Sequence, residues 1–255
     1  MKKYLFLFIN EIKRSIKMCF KLYILIILIL VVYVTYKSYG ESNVAKVITN
    51  FFWGNNEQEF HMNGKLIKLP SEWIIILGLY YFSVGVYIAK DKVIMIDNIS
   101  VKMNSFFLWW ILKCGWVLVY SVISYMIFIS VICINVVLSK GSSELFLSLN
   151  TAQNIELLWI FVITPLTCYV IACMQLLMEM VGGIVFGTSV VFTYLVSTAY
   201  IRSPFLMGNY LMYQRTQLYM PESRINIGNW MVCSLSLYLL TVICGCIYMR
   251  KKYNR

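Results

Sequence analysis

Apolar residues run along this chain in long blocks broken by short polar stretches, and the first forty residues set the frame. Leu5, Phe8, Ile9, Ile12, Ile16 and Cys19 recur at helical spacing, while Lys2, Lys3, Asn10, Lys13, Arg14 and Lys17 fill the other face. That pattern predicts an amphipathic helix over Tyr4–Phe20, an elbow lying in a membrane interface before the chain turns to span it. The uncharged run Leu22–Tyr36 follows. It is somewhat short of the about 20 residues that a bilayer core needs. Met18, Cys19 and Phe20 extend it if Lys21 carries its amine back to the headgroups. The apolar run comes late for a signal peptide and Thr35-Tyr36-Lys37 is a poor cleavage site, so a retained anchor is expected.

Five further blocks give a six-span, all-α polytopic reading, with spans near 21–37, 73–89, 108–138, 157–178, 182–200 and 230–249. Between the first two, Val44–Trp53 is apolar enough to lie on a membrane surface. Asn63-Gly64 predicts a small hairpin over Glu59–Lys68. Trp73 marks one interface of the second span and Lys90 closes its other end. Lys90–Asn104 mixes Val93, Ile94, Ile96, Ile99, Val101 and Met103 with Asp91, Lys92, Asp97 and Lys102. It predicts a short docking helix between spans two and three. Phe106–Lys113 reads as an interfacial extension of the third span. Pro165 permits a kink in the fourth. Glu179–Gly183 reads as a tight solvated turn, and Gly183-x-x-x-Gly187 as a place where another helix approaches closely. Part of the apolar, aromatic stretch Phe205–Tyr213 is expected to dip back towards the bilayer.

Composition agrees with a single membrane domain over 1–255. The chain is 60% hydrophobic and only 13% charged, against roughly 25% charged in a soluble domain. A net charge of +11 would suggest nucleic acid in a soluble protein. Here about two-thirds of the cations fall on one side of the proposed topology, at the two ends of the chain and around Lys90–Lys113. By the positive-inside rule both termini are then cytoplasmic, and the charge is a topology signal and headgroup attractor. All eight cysteines lie in apolar or membrane-flanking runs, which predicts packing and no disulfide framework.

Candidate chemistry is sparse. His61 is the lone histidine and sits beside the expected hairpin turn, so clustered metal ligands and a serine–histidine pair are both excluded. No G-x-x-x-x-G-K-[ST] loop occurs, so the chain itself is expected neither to bind nucleotide nor to act as an enzyme. Energy for any driven transport would come from another subunit or from the substrate gradient.

The elbow, six spans with both ends inside, the Lys90–Asn104 segment and the stretch Ile201–Gly228 together resemble the six-helix permease subunits of ABC exporters. The run Ser203–Tyr210, SPFLMGNY, is similar in flavour to the re-entrant helices of bacteriocin- and lantibiotic-immunity permeases, and the chain length fits that group. The resemblance covers the whole chain and is architectural. It implies an ABC ATP-binding subunit that holds ATP and Mg, a second permease copy or paralogue, and export of a hydrophobic or amphipathic peptide or lipid-like substrate. It also implies two ATPase-contact surfaces. One is Lys90, Asp91, Lys92, Val93, Ile94, Ile96, Asp97, Ile99 and Lys102, whose apolar members would plug a groove while the charges set register. The other is the elbow face with Phe8, Ile12, Lys13, Arg14 and Ile16. The alternatives are a substrate-binding subunit of a vitamin-uptake system, which usually lacks both features, and a non-transporting sensor or immunity protein.

Overall fold

The structure, a computed structural model, describes residues 2–38, 43–54, 70–102, 106–140 and 156–253. The expected hairpin, His61 and most of Lys140–Glu156 lie outside the described residues. Every regular element among the described residues is helical: α1 (Lys2–Ser38), α2 (Val44–Phe51), α3 (Ser71–Lys102), α4 (Phe106–Lys140), α5 (Thr164–Gly182), α6 (Ile184–Tyr200) and α7 (Ile227–Tyr253). A π-helical turn, Trp159–Ile163, leads into α5, and two 3₁₀ turns, Met207–Leu211 and Tyr213–Arg215, lie between α6 and α7. Among the described residues five helical stretches are long and apolar enough to cross a membrane. The 17-residue α6 is apolar but shorter.

The elbow does not turn. No glycine or proline interrupts Lys2–Ser38, and nothing else in the sequence breaks the backbone ladder, so the amphipathic lead-in and the apolar run form one helix of 37 residues. At 1.5 Å per residue it is about 55 Å long. The same logic corrects the docking segment. α3 continues unbroken from its apolar part through Lys102, so Lys90–Lys102 extends a long helix and is not a separate one.

Proline and glycine do punctuate the second half. Pro165 has no N–H to donate, and the ladder before it widens into the π turn. There the Thr164 hydroxyl donates to the Trp159 carbonyl at 3.0 Å. Gly183 sits at φ +88°, a left-handed conformation that glycine adopts without strain, and it folds α6 back on α5.

α5 is the central helix, packed on α3, α4, α6 and α7. Of its apolar stretch 67% is buried, against 17% for those of α1 and α7. The outer helices expose Val32, Leu28, Val232 and Leu235, faces fit for acyl chains. α2 is not laid on a surface as its composition suggested. Val44, Val47, Ile48 and Phe51 are all buried and the helix packs on α4, with Phe51 edge-on to Phe128 at 5.6 Å. Asn43 caps its start by accepting from the Lys46 amide.

The bundle has two recognisable ends. Met180 accepts from the Tyr248 hydroxyl at 3.0 Å, and Glu11 meets Tyr87 and Lys113. The start of α1, the later part of α3, the start of α4, the Gly183 turn and the end of α7 therefore share one end. The Lys37–Glu72 ion pair at 2.5 Å, the Thr35–Asn135 hydrogen bond at 2.9 Å, α2 and the 201–226 segment mark the other.

Gly187 is where α6 crosses α5 most closely. A Cβ there would lie 2.1 Å from the Glu179 side chain and 2.8 Å from its backbone nitrogen. Gly187→Ala should push the two helices apart and lower thermal stability in detergent clearly more than Gly228→Ala, whose added Cβ would meet only the Asn226 side chain at 3.5 Å.

Candidate functional site

Among the described residues, polar groups inside the bundle gather in four places, and none of the four resembles a catalytic constellation. At the Gly183 end, Glu11 of α1 and Lys113 of α4 form a buried ion pair, with side chains 8% and 3% exposed. The Tyr87 hydroxyl of α3 donates to the same Glu11 oxygen at 2.5 Å. The Lys113 ammonium also sits over the rings of Tyr87 and Trp109, 5.2 and 5.6 Å from their centroids, a favourable placement for a cation. The cluster ties three helices together. Sequence reasoning placed Lys113 in an interfacial extension, and Glu11 falls within the elbow expected to lie in the membrane interface. The structure instead sinks both, because a lone cation in an apolar helix needs a partner, and Glu11 is within reach.

The second place is the crossing of α3, α5 and α6. Glu179 is 1% exposed, which corrects its reading as a solvated turn residue. The Gln175 amide donates to Glu179 at 2.6 Å and to the Tyr81 carbonyl at 2.9 Å. Gly85 on α3 and Gly187 on α6 leave the room this pair occupies; a Cβ on Gly85 would lie 2.7 Å from the carboxylate.

The third lies deeper, where α3 and α4 exchange hydroxyls. Tyr80 is bonded to Ser121, and Ser83 to Tyr120. Ser121 and Ser83 donate in turn to the carbonyls of Val117 and Tyr80. These groups line a cavity of about 70 Å³. Beside it a groove of about 290 Å³ runs between α1 and α4, sharing Ile26, Leu30, Tyr120 and Ser124 with the cavity.

The fourth is the 201–226 segment, which folds onto the bundle around Arg215. That side chain is 2% exposed. Its guanidinium donates to the carbonyls of Thr198 at 2.5 Å and Ala199 at 2.7 Å and to the Asn209 amide oxygen at 2.5 Å. It thereby closes the C-terminal end of α6, where unpaired carbonyls and the helix dipole both favour a cation. The Trp159 indole donates to the Tyr210 carbonyl, which ties the segment to the π turn before α5, while the Trp230 indole of α7 donates to Thr167 of α5. Burial, then the nearby Glu156 carboxylate, pushes the Tyr213 hydroxyl up to about 12, so it stays a neutral phenol at any physiological pH.

The residues singled out as contact surfaces are placed as follows. Lys90 is exposed, and its ammonium donates to the Met18 carbonyl of α1 at 3.1 Å. Asp91, Lys92, Val93, Ile94, Ile96, Asp97, Ile99 and Lys102 lie on the α3 extension, with side chains outside the described residues. On α1, Phe8, Ile12 and Arg14 are half-buried while Lys13 and Ile16 are exposed. Phe8 packs where Gly115 leaves space, since a Cβ there would come within 3.3 Å of its ring. Of the two helix-packing glycines, Gly187 lies at the close crossing and Gly183 forms the turn.

Among the described residues no three His, Cys, Asp or Glu side chains converge as a metal site would require. All eight cysteines are free thiols. Arg215 carried no signal in the sequence beyond being a lone cation in an aromatic run. Gln175, one helical turn before Glu179, was the legible hint that this acid is held inside.

The fold thus defines a class: an all-helical protein whose long apolar helices are those of a membrane-embedded chain. Comparison with protein families, with curated proteins and with solved structures found no match to it.

Proposed function

We propose that this chain is the membrane-spanning permease subunit of an ATP-driven ABC transporter that works with a separate ATPase and a second permease copy or paralogue. The observation that carries the reading is the extension of α3. Past Ile88, the end of its apolar stretch, the helix continues to Lys102, about 20 Å at 1.5 Å per residue. It does so at the end of the bundle that also holds the basic start of α1 and the Arg250-Lys251-Lys252 run. That end is cytoplasmic by its excess of cations, which puts both termini inside and makes α6 the short fifth of six spans. A partner gripping the extension can move α3 as a lever, and Lys90 passes the motion to α1 through Met18. The apolar outer faces suit a hydrophobic or amphipathic peptide or a lipid-like substrate.

Ile96→Glu puts a charge among the apolar residues of the extension. Tagged wild-type chain drawn from its host membrane in mild detergent should bring down a stoichiometric ATP-binding subunit, and Ile96→Glu should lose it. A variant that keeps an intact, ATP-hydrolysing complex would sink the assignment. The buried Glu179 favours a second reading, a proton-coupled carrier, since acids inside a membrane bundle commonly mark proton paths. Wild-type chain that transports without any ATPase would support it.

A further inference from the structure

The groove between α1 and α4 is ordered along its length. At its Gly183 end the rim of α1 carries Lys13 and Lys17, both exposed. Lys13 stands three residues before the groove-lining Ile16, and Lys17 three before the groove-lining Phe20, so each is its neighbour on the helix surface. Next come two hydroxyls that line the groove, Ser15 and Tyr23, bonded to each other at 3.2 Å. Beyond them the walls are aliphatic, with Ile24, Ile27 and Leu30 on one side and Ile123 and Ile127 on the other. The floor is aromatic: Tyr120 stacks on Trp116 at 5.4 Å and meets Tyr23 at 5.6 Å.

The order cation, hydroxyl, hydrocarbon is the order of phosphate, ester and acyl chain in a phospholipid. Among the described side chains the acid near this rim, Glu11, is paired with Lys113 and does not cancel the rim charge. Among the described residues Lys13 and Lys17 form no ion pair. At about 290 Å³ the groove has the size of a small ligand pocket, and its mouth, with Ile16, Phe20 and Ile123 about half exposed, opens sideways to the acyl phase.

We propose that this groove is a site for one anionic phospholipid, with its phosphate between Lys13 and Lys17, its esters at Ser15 and Tyr23, and one acyl chain laid along Ile24–Leu30. The site belongs to the isolated chain and does not depend on the transport reading. Basic pockets between membrane helices bind anionic headgroups in this manner, each cation near the surface adding to the attraction.

The test is native mass spectrometry of the full chain, delipidated in mild detergent and titrated with phosphatidylglycerol or phosphatidylcholine of identical acyl chains. One phosphatidylglycerol should bind per chain ahead of phosphatidylcholine, and Lys13→Gln with Lys17→Gln should weaken it at least about tenfold. Ile123→Trp, which fills the mouth with an apolar group that membrane helices tolerate, should weaken both lipids. Lys251→Gln serves as the charge control, because Lys251 is an exposed cation on α7, which lines no part of the groove; it should leave binding unchanged. Thermal unfolding in lipid-free detergent reports whether each variant is folded. Equal binding of the two lipids by the wild type would overturn the site. So would full retention by the double variant, or an equal loss in Lys251→Gln, which would mark a diffuse surface charge.

Discussion

Lys113→Met alone should destabilise the protein by about 3–5 kcal/mol, the scale seen when one member of a buried ion pair is removed and the other is left charged in an apolar site. Glu11 would keep only the Tyr87 hydroxyl, and its carboxylate is too enclosed to draw on water. Glu11→Leu should do comparable damage by taking the carboxylate from the buried Lys113 ammonium, although the Tyr87 and Trp109 rings soften that loss. The double variant Glu11→Leu/Lys113→Met should recover most of the stability, because apolar replacement of a whole buried pair is often close to neutral. Thermal unfolding of the four proteins in one detergent completes the cycle. Additive losses would show that the two charges do not depend on each other and would remove the cluster as the tie between α1, α3 and α4.

That cluster also marks the limit of what pattern could reveal. Periodicity found the helices because α1, α3 and α4 carry long apolar repeats that no proline interrupts. It misplaced their ends for a physical reason: a change from amphipathic to apolar character is no break in a backbone, whereas a residue such as Gly183 at positive φ makes one. Hence the elbow is continuous with the first apolar run and the docking segment with α3. Burial of charge was harder to read. Glu179 stands next to a turn, which argues for water, and only the approach of Gly85 and Gly187 from two other helices encloses it. Val44–Phe51 has the composition of a surface helix, and its burial depends on aromatic partners such as Phe128, more than seventy residues away in the chain. The α1–α4 groove was invisible for the same reason. Lys13 and Ile16 were legible as opposite characters on one helix, whereas Tyr120 and Ile123 join them only through packing.

Arg215→Met should cause the second large loss, and it should be local. The guanidinium satisfies the carbonyls of Thr198 and Ala199 and the amide oxygen of Asn209, all buried, and bonds from a charged donor contribute roughly 1.5–3 kcal/mol each. Methionine fills the volume and supplies no donor, so the end of α6 would be left with unpaired carbonyls facing its own dipole. A total loss of at least about 3 kcal/mol follows. Arg215→Lys should recover only part of it, since a single ammonium cannot reproduce the planar fork that reaches carbonyls and an amide together. The loss should appear first in the 201–226 segment. Hydrogen exchange at Met207–Thr216 should quicken sharply in Arg215→Met while the amides of α5 stay protected, because α5 is held by α3, α4 and α7 independently of this cap. Uniform exchange across both regions would mean that Arg215 stabilises the bundle as a whole, and the segment would then be an integral part of the core and not a cap folded onto it.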